Sequence, residues 1–198
     1  MRPFTEKERE VIDRDLRKTG RALFVDRGWK KTGIDDLCRA AGIARGTFYQ
    51  FYPSKDAFFL ALLTEAERVV KADLLTALAD PTLDGQATLR ALLDQTLTVI
   101  DRHPVLRFAF ADPEEPAPWL RSLDGPGLEA LTREDDATAD QVLALLAIKG
   151  IRVPLEAPAF AGLLRALVLL PLSRRVIGEA VFEASRTALV EALTRGLS

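Results

Sequence analysis

The stretch TGIDDLCRAAGIARGTFYQFYPSKD, residues 32–56, decides the reading of this chain. Thr32 with Asp35 has the spacing that opens a short helix, and Ile34, Leu37, Cys38 and Ala41 fall on one side of it. Gly42 stops that helix, because a residue without a Cβ can take the left-handed conformation at a helix end. A second short helix is predicted from near Ala44 to Phe51, with Ile43 and Phe48 turned to a core. Pro53 then breaks the chain, and Ser54 is placed to cap a longer helix.

Outward from this stretch, almost every segment carries helical spacing. Towards the N-terminus, Thr5 and Glu8 have capping-box spacing, and Ile12, Leu16, Leu23 and Phe24 form one stripe, so a helix is predicted from Glu6 to Arg27 with Gly28 ending it. Towards the C-terminus, the helix capped by Ser54 runs to about Leu78, roughly 36 Å at 1.5 Å per residue. Asp84 starts the next, through Leu89, Leu93, Leu97 and Ile100, and His103-Pro104 closes it. A short helix over Val105 to Ala111 and a Pro- and Gly-rich loop over 112–127 follow. Further helices are predicted at about 128–149, 158–171 and 179–196. No segment alternates apolar and polar residues for long, so the expected fold is all-α with about nine helices. Residues 1–53 and 54–198 are the expected domains.

Composition narrows the function. Apolar residues at 48% and charged residues at 28% are ordinary globular values. One Cys and one His exclude an internal disulfide and leave too few ligands for a Cys/His zinc site, so neither a metal nor a cofactor is expected. Cys38 reads as a small buried apolar residue. With no glycine-rich phosphate loop or nucleophile elbow either, enzymatic chemistry has no visible home. Met1 to Glu10 is charged and lacks the apolar core of a secretory signal, and runs such as Ala166 to Leu172 are too short to cross a bilayer, so a cytoplasmic protein without a membrane partner is expected.

The net charge of −2 conceals an asymmetry. Residues 1–56 hold thirteen Lys and Arg against nine Asp and Glu, while the remainder holds fourteen against twenty. A basic end on an acidic body suggests a local nucleic-acid surface. Three short helices with a glycine turn between the second and third are what a helix-turn-helix needs, the second bracing the third in the major groove. On that third helix Arg45 and Gln50 are the candidates for base edges, Arg towards guanine and Gln towards adenine.

The residues Gly28-Trp29, Thr32 to Leu37, Ala41 to Tyr49 and Ser54-Lys55-Asp56 resemble, without insertion or deletion, the N-terminal domain of the tetracycline-repressor (TetR) family of bacterial transcriptional regulators. The resemblance covers about 50 residues. It implies an N-terminal DNA-binding domain followed by a helical ligand-binding and dimerisation domain. It also implies phosphate contacts by Thr32, Tyr49, Tyr52 and Lys55, with Thr47 at the same DNA surface, at a base edge or a phosphate. For Tyr49 a half-buried core aromatic is the competing reading. The chain departs from the family pattern at Gly33, Ala44 and Phe51. Neither Gly33 nor Ala44 offers a hydroxyl, and Tyr52 carries the hydroxyl that position 51 usually holds.

The resemblance further implies a homodimer joined by a four-helix bundle and facing a near-palindromic double-stranded DNA operator. The helix at 158–171 is apolar around most of its circumference, and the last helix is amphipathic. Leu163, Leu167, Leu170, Phe182, Leu189 and Leu193 are the interface candidates, with packing inside one chain as the alternative. A small-molecule effector is the expected further partner, with Arg68, His103, Arg107, Phe108, Phe110 and Trp119 as pocket candidates. Ordinary core explains the aromatics equally well, and a helix C-terminal role explains His103. The expected function is a repressor released from its operator by that effector. The alternative is a DNA-binding regulator without a small-molecule ligand, either controlled by a protein partner or constitutive.

Overall fold

The computed structural model describes residues 4–109 and 125–198, and it holds no strand among the described residues. The helix α1 (Glu6–Lys31) starts as the sequence predicts: Glu8 N–H donates to Thr5 Oγ1 at 3.3 Å, and Thr5 N–H donates to Glu8 Oε2 at 2.8 Å. Gly28 interrupts it at φ 80°, a conformation that side chains with a Cβ rarely take. Beyond lie α2 (Ile34–Ala41), α3 (Arg45–Phe51) and α4 (Lys55–Leu78).

Between α2 and α3, Gly42 sits at φ 68°, and Ile43 N–H donates to the Cys38 carbonyl at 3.0 Å. The left-handed residue closes the C-terminal motif expected of it. Ser54 Oγ accepts from Ala57 N–H at 3.0 Å, capping the long helix. The opening of α2 differs from expectation. Gly33 takes the N-cap place, its N–H donating to the Asp36 carboxylate at 3.0 Å. Thr32 is fully buried, so its hydroxyl needs an internal acceptor and finds the Gly28 carbonyl at 2.8 Å.

The chain divides into two compact units. Of the described residues, the first holds those up to Ala66 together with α6 (Pro104–Ala109). Its core is aromatic: Phe58, fully buried, lies 4.8 Å from Tyr52, 5.7 Å from Phe48 and 6.1 Å from Phe24, ring centre to ring centre. Leu16, Gly20 and Phe24, four residues apart, form the inner stripe of α1. A Cβ on Gly20 would come within 2.5 Å of the Phe58 ring, so only glycine lets the two helices approach this closely.

The second unit contains the remainder of α4, then α5 (Gly85–Arg102), α7 (Gly125–Ile148), α8 (Ala157–Leu169), a 3-10 turn (Leu170–Ser173), α9 (Arg174–Ile177) and α10 (Phe182–Leu197). Leu89, Leu93 and Leu97 of α5 meet Val142 and Leu146 of α7, Phe160 of α8 and Val190 of α10 in one core. The sequence suggested a boundary at Pro53, whereas the units part inside α4 after Ala66. A helix that continues across two cores leaves no composition break to read. Phe182 is buried within its own chain, as is Leu167 in the core of this unit, which corrects their expected place on a dimer face. Leu163, Leu170, Leu189 and Leu193 are half-buried, with one side packed on the same core.

Candidate nucleic-acid interface

The outward strip of α3 follows from what its inward side buries. Phe48 is fully buried against Phe58 and Tyr52, and Thr47 is 5% exposed. The 100° step of a helix then turns Arg45, Gly46, Tyr49 and Gln50 outwards. Tyr49 is 45% exposed, with its ring edge-on to Phe48 at 5.6 Å, so it is a surface aromatic resting on the core. Gly46 has open space where a Cβ would stand, and nothing in this chain demands a glycine there.

Arg45 is held on two sides. Its Nη1 donates to both carboxylate oxygens of Asp35, at 3.1 and 3.2 Å, and its Nη2 donates to Tyr49 Oη at 3.4 Å. At the other end of the helix Arg9 covers the Phe51 ring at 4.6 Å and reaches the Gln50 carbonyl at 3.5 Å. Neither Asp35 nor Arg9 was a candidate from sequence. Only the folded proximity of residues 10 and 41 positions away identifies them.

Three expected DNA-contacting side chains are turned inwards instead. The Thr32 hydroxyl clasps the Gly28 carbonyl, and Thr47 is covered by the packing of α3. The Tyr52 hydroxyl donates to Asp13, which also accepts from Arg17 Nε at 2.8 Å. Burial pushes the Tyr52 phenol above its ordinary pKa, and the bond to Asp13 raises it further. The pattern marks Tyr52 for a phosphate, yet a ring in the centre of an aromatic core cannot reach one.

Lys55 stands between these cases. Its ammonium donates to the Trp29 carbonyl at 2.9 Å and the Thr32 carbonyl at 3.1 Å and lies 4.1 Å from the Trp29 ring centre. Burial lowers its pKa. Two of its three donors are thus taken up in tying α4 to the end of α1. Cys38 is buried, and burial followed by the nearby Asp35 raises its thiol pKa, the opposite of what a reactive cysteine needs.

Residues 16–62 match the family described as bacterial regulatory proteins, tetR family. Over this N-terminal stretch the chain is similar to the TetR family. The HTH-type transcriptional regulator EthR of Mycobacterium tuberculosis is 43% identical over 76 residues, covering 36% of this chain and 34% of EthR. The match therefore spans about a third of that relative's length. A TetR-family transcriptional regulator from Pectobacterium atrosepticum, 24% identical, shares the fold over 98% of this chain and 97% of its own, with a TM-score of 0.68. FadR of Bacillus subtilis, solved in complex with stearoyl-CoA, shares it at a TM-score of 0.60 and 12% identity, over 93% and 99% of the two chains. TetR-like architecture thus extends over both units.

The second unit carries a polar cluster that sequence reading missed. Asp135 of α7 forms an ion pair with Lys71 of α4 at 2.7 Å and accepts a hydrogen bond from Arg165 of α8 at 3.0 Å. Glu67, one turn before Lys71, has its carboxyl pushed up by burial, with Lys71 opposing that and Asp135 and Glu134 adding to it. Of the pocket candidates, Arg68 and His103 belong to this unit and Arg107 to the first. His103 caps α5, its N–H donating to the Val99 carbonyl at 3.1 Å. Phe110, Trp119 and the Phe108 side chain lie outside the described residues. Among the described residues no His, Cys, Asp and Glu side chains converge to hold a metal, and no helix is long and apolar enough to cross a membrane.

Proposed function

We propose that this protein is a TetR-family regulator: a homodimeric, sequence-specific DNA-binding repressor that leaves a near-palindromic operator when a small molecule binds its second unit. The observation that carries this is the outward strip Arg45, Tyr49 and Gln50 on a helix braced by α2 through the Gly42 turn. Arg45 and Gln50 have the donor and acceptor geometry for guanine and adenine edges in the major groove, and Tyr49 and the remaining donor of Lys55 serve phosphates.

One such helix reads only a few base pairs, so two copies are needed, with half-sites about 34 Å or a multiple apart. The face that joins them is built from the open side of the C-terminal helices. Leu169, Val176 and Val181 are 48%, 90% and 51% exposed, and Leu163, Leu170, Leu189 and Leu193 are half-buried, each with an uncovered edge to contribute. FadR, with the same fold and a bound acyl thioester, supports a small-molecule effector. The effector acts by favouring a spacing of the two reading helices that mismatches the operator.

Selection of genomic fragments by the purified protein tests the reading, and the recovered fragments should share inverted half-sites. Arg45→Ala should then weaken specific binding by about 1–3 kcal/mol and relax one base preference in each half-site. Failure to enrich any DNA at low salt, or a monomer by light scattering at operator-binding concentrations, refutes it.

A further inference from the structure

Asp35 is an acidic side chain on the surface that has to approach phosphates, and its charge works against binding there. Its geometry supplies a reason for its place. Both of its oxygens lie against one nitrogen of Arg45, at 3.1 and 3.2 Å, while the other terminal nitrogen of that guanidinium meets Tyr49 Oη at 3.4 Å. Burial does not force the pair together, since the Arg45 and Asp35 side chains are 59% and 65% exposed.

An arginine on an exposed helix with no partner sweeps a wide arc and settles on the nearest phosphate, which gives affinity without sequence. A guanidinium held by a carboxylate on one side and a phenol on the other has lost most of that arc already. Its net attraction to phosphate is also reduced, while its remaining N–H groups stay free for a base edge. We propose that Asp35 is a positioning residue that aims Arg45 at bases and away from phosphates, so that it sets the ratio of specific to non-specific DNA binding. The inference rests on the reading of Arg45 as a base-contacting residue.

The test compares D35N, D35E, R45A and the double variant D35N/R45A as full chains, each checked for an unaltered cooperative melt. Dissociation constants are measured for the duplex that the parent protein selects and for a scrambled duplex, from about 50 to 200 mM salt. D35N should tighten binding to scrambled DNA by about 3- to 10-fold with a salt slope steeper by about 0.9, the signature of one added phosphate contact, while operator binding changes by less than about twofold. D35E, which keeps the carboxylate, should restore the ratio. In the R45A background D35N should shift both duplexes by the same factor.

An unchanged ratio for D35N when Arg45 is present overturns the proposal, since Asp35 is then only a general repulsion. The same loss of ratio without Arg45 also overturns it, since Asp35 then reads a base itself. An R45A variant that keeps the parent's base preference strikes instead at the assignment of Arg45, and the inference falls with it.

Discussion

Replacing Tyr52 by Phe removes one oxygen from the middle of the first unit. The ring is 7% exposed and stays packed 4.8 Å from Phe58 and 5.9 Å from Phe48, so no cavity forms and the cost is that of one hydrogen bond to Asp13. Bonds to charged groups contribute about 1.5–3 kcal/mol. Asp13 keeps Arg17 at 2.8 Å, and its side chain is 31% exposed, so water replaces the phenol and the expected loss lies near the low end, about 1.5 kcal/mol. Urea denaturation followed by circular dichroism should show a lower midpoint with an unchanged slope. The alkaline side adds a second signature. An unfolded tyrosine ionises near pH 10, whereas Tyr52 in the fold keeps its proton to higher pH because of burial and then the bond to Asp13. The native state therefore binds more protons above about pH 10, and the contribution of Tyr52, fully present below that pH, is lost as pH rises beyond it. The gap between parent and Tyr52→Phe should narrow there. DNA affinity of the folded variant should stay within about twofold of the parent, under about 0.5 kcal/mol. A variant as stable as the parent yet weaker on DNA would refute this account and return the hydroxyl to a phosphate.

Lys55→Met should cost about 2 kcal/mol of stability by thermal or urea melts, because the Trp29 and Thr32 carbonyls lose their donor. It should also weaken operator and scrambled DNA alike and flatten the salt slope by about 0.9, and an unchanged slope would end the phosphate role of its third donor. Gly42→Ala and Gly46→Ala should move the melting temperature in opposite directions. The first loses about 1–2 kcal/mol from its φ of 68° without any clash, and the second, helical with open space around it, gains about 0.5–1 kcal/mol. Destabilisation by both would show that packing on this face has been misread. Glu67→Gln should be more stable than the parent at neutral pH, since burial raises the carboxyl pKa in the fold and the ionised form is the costly one. The penalty is absent where Glu67 is protonated in both states, so the difference should close as pH falls towards about 4.3, and a constant difference across pH would refute it.

Much of the first unit was legible because local chemistry dictates it. A Thr and a Glu three apart, a glycine that must go left-handed and a Ser before a long apolar-striped helix each act within a few residues, and Thr5, Gly42 and Ser54 do what their types require. The inward and outward sides of α3 likewise follow from the 3.6-residue period once Phe48 is core. Thr32 and Tyr52 were misplaced because a hydroxyl can serve a phosphate or a buried carbonyl or carboxylate equally well. Burial is a property of the whole fold, and nothing within a few residues of either position reports it. The sharing of α4 between two cores was invisible for a related reason, since a continuous helix shows no break in composition where its surroundings change.

The sequence by itself determined that the chain is all helical, that residues 32–56 form a helix-turn-helix, and that Arg45, Tyr49 and Gln50 share its third helix, because period and capping are short-range. Only the tertiary structure decided which polar side chains of this unit are engaged by other parts of the chain. Asp35 meets Arg45, Asp13 meets Tyr52, and two carbonyls near the end of α1 meet Lys55. Those partners lie 10 to 39 residues apart in sequence, and their charges and lone pairs become neighbours only when the helices pack.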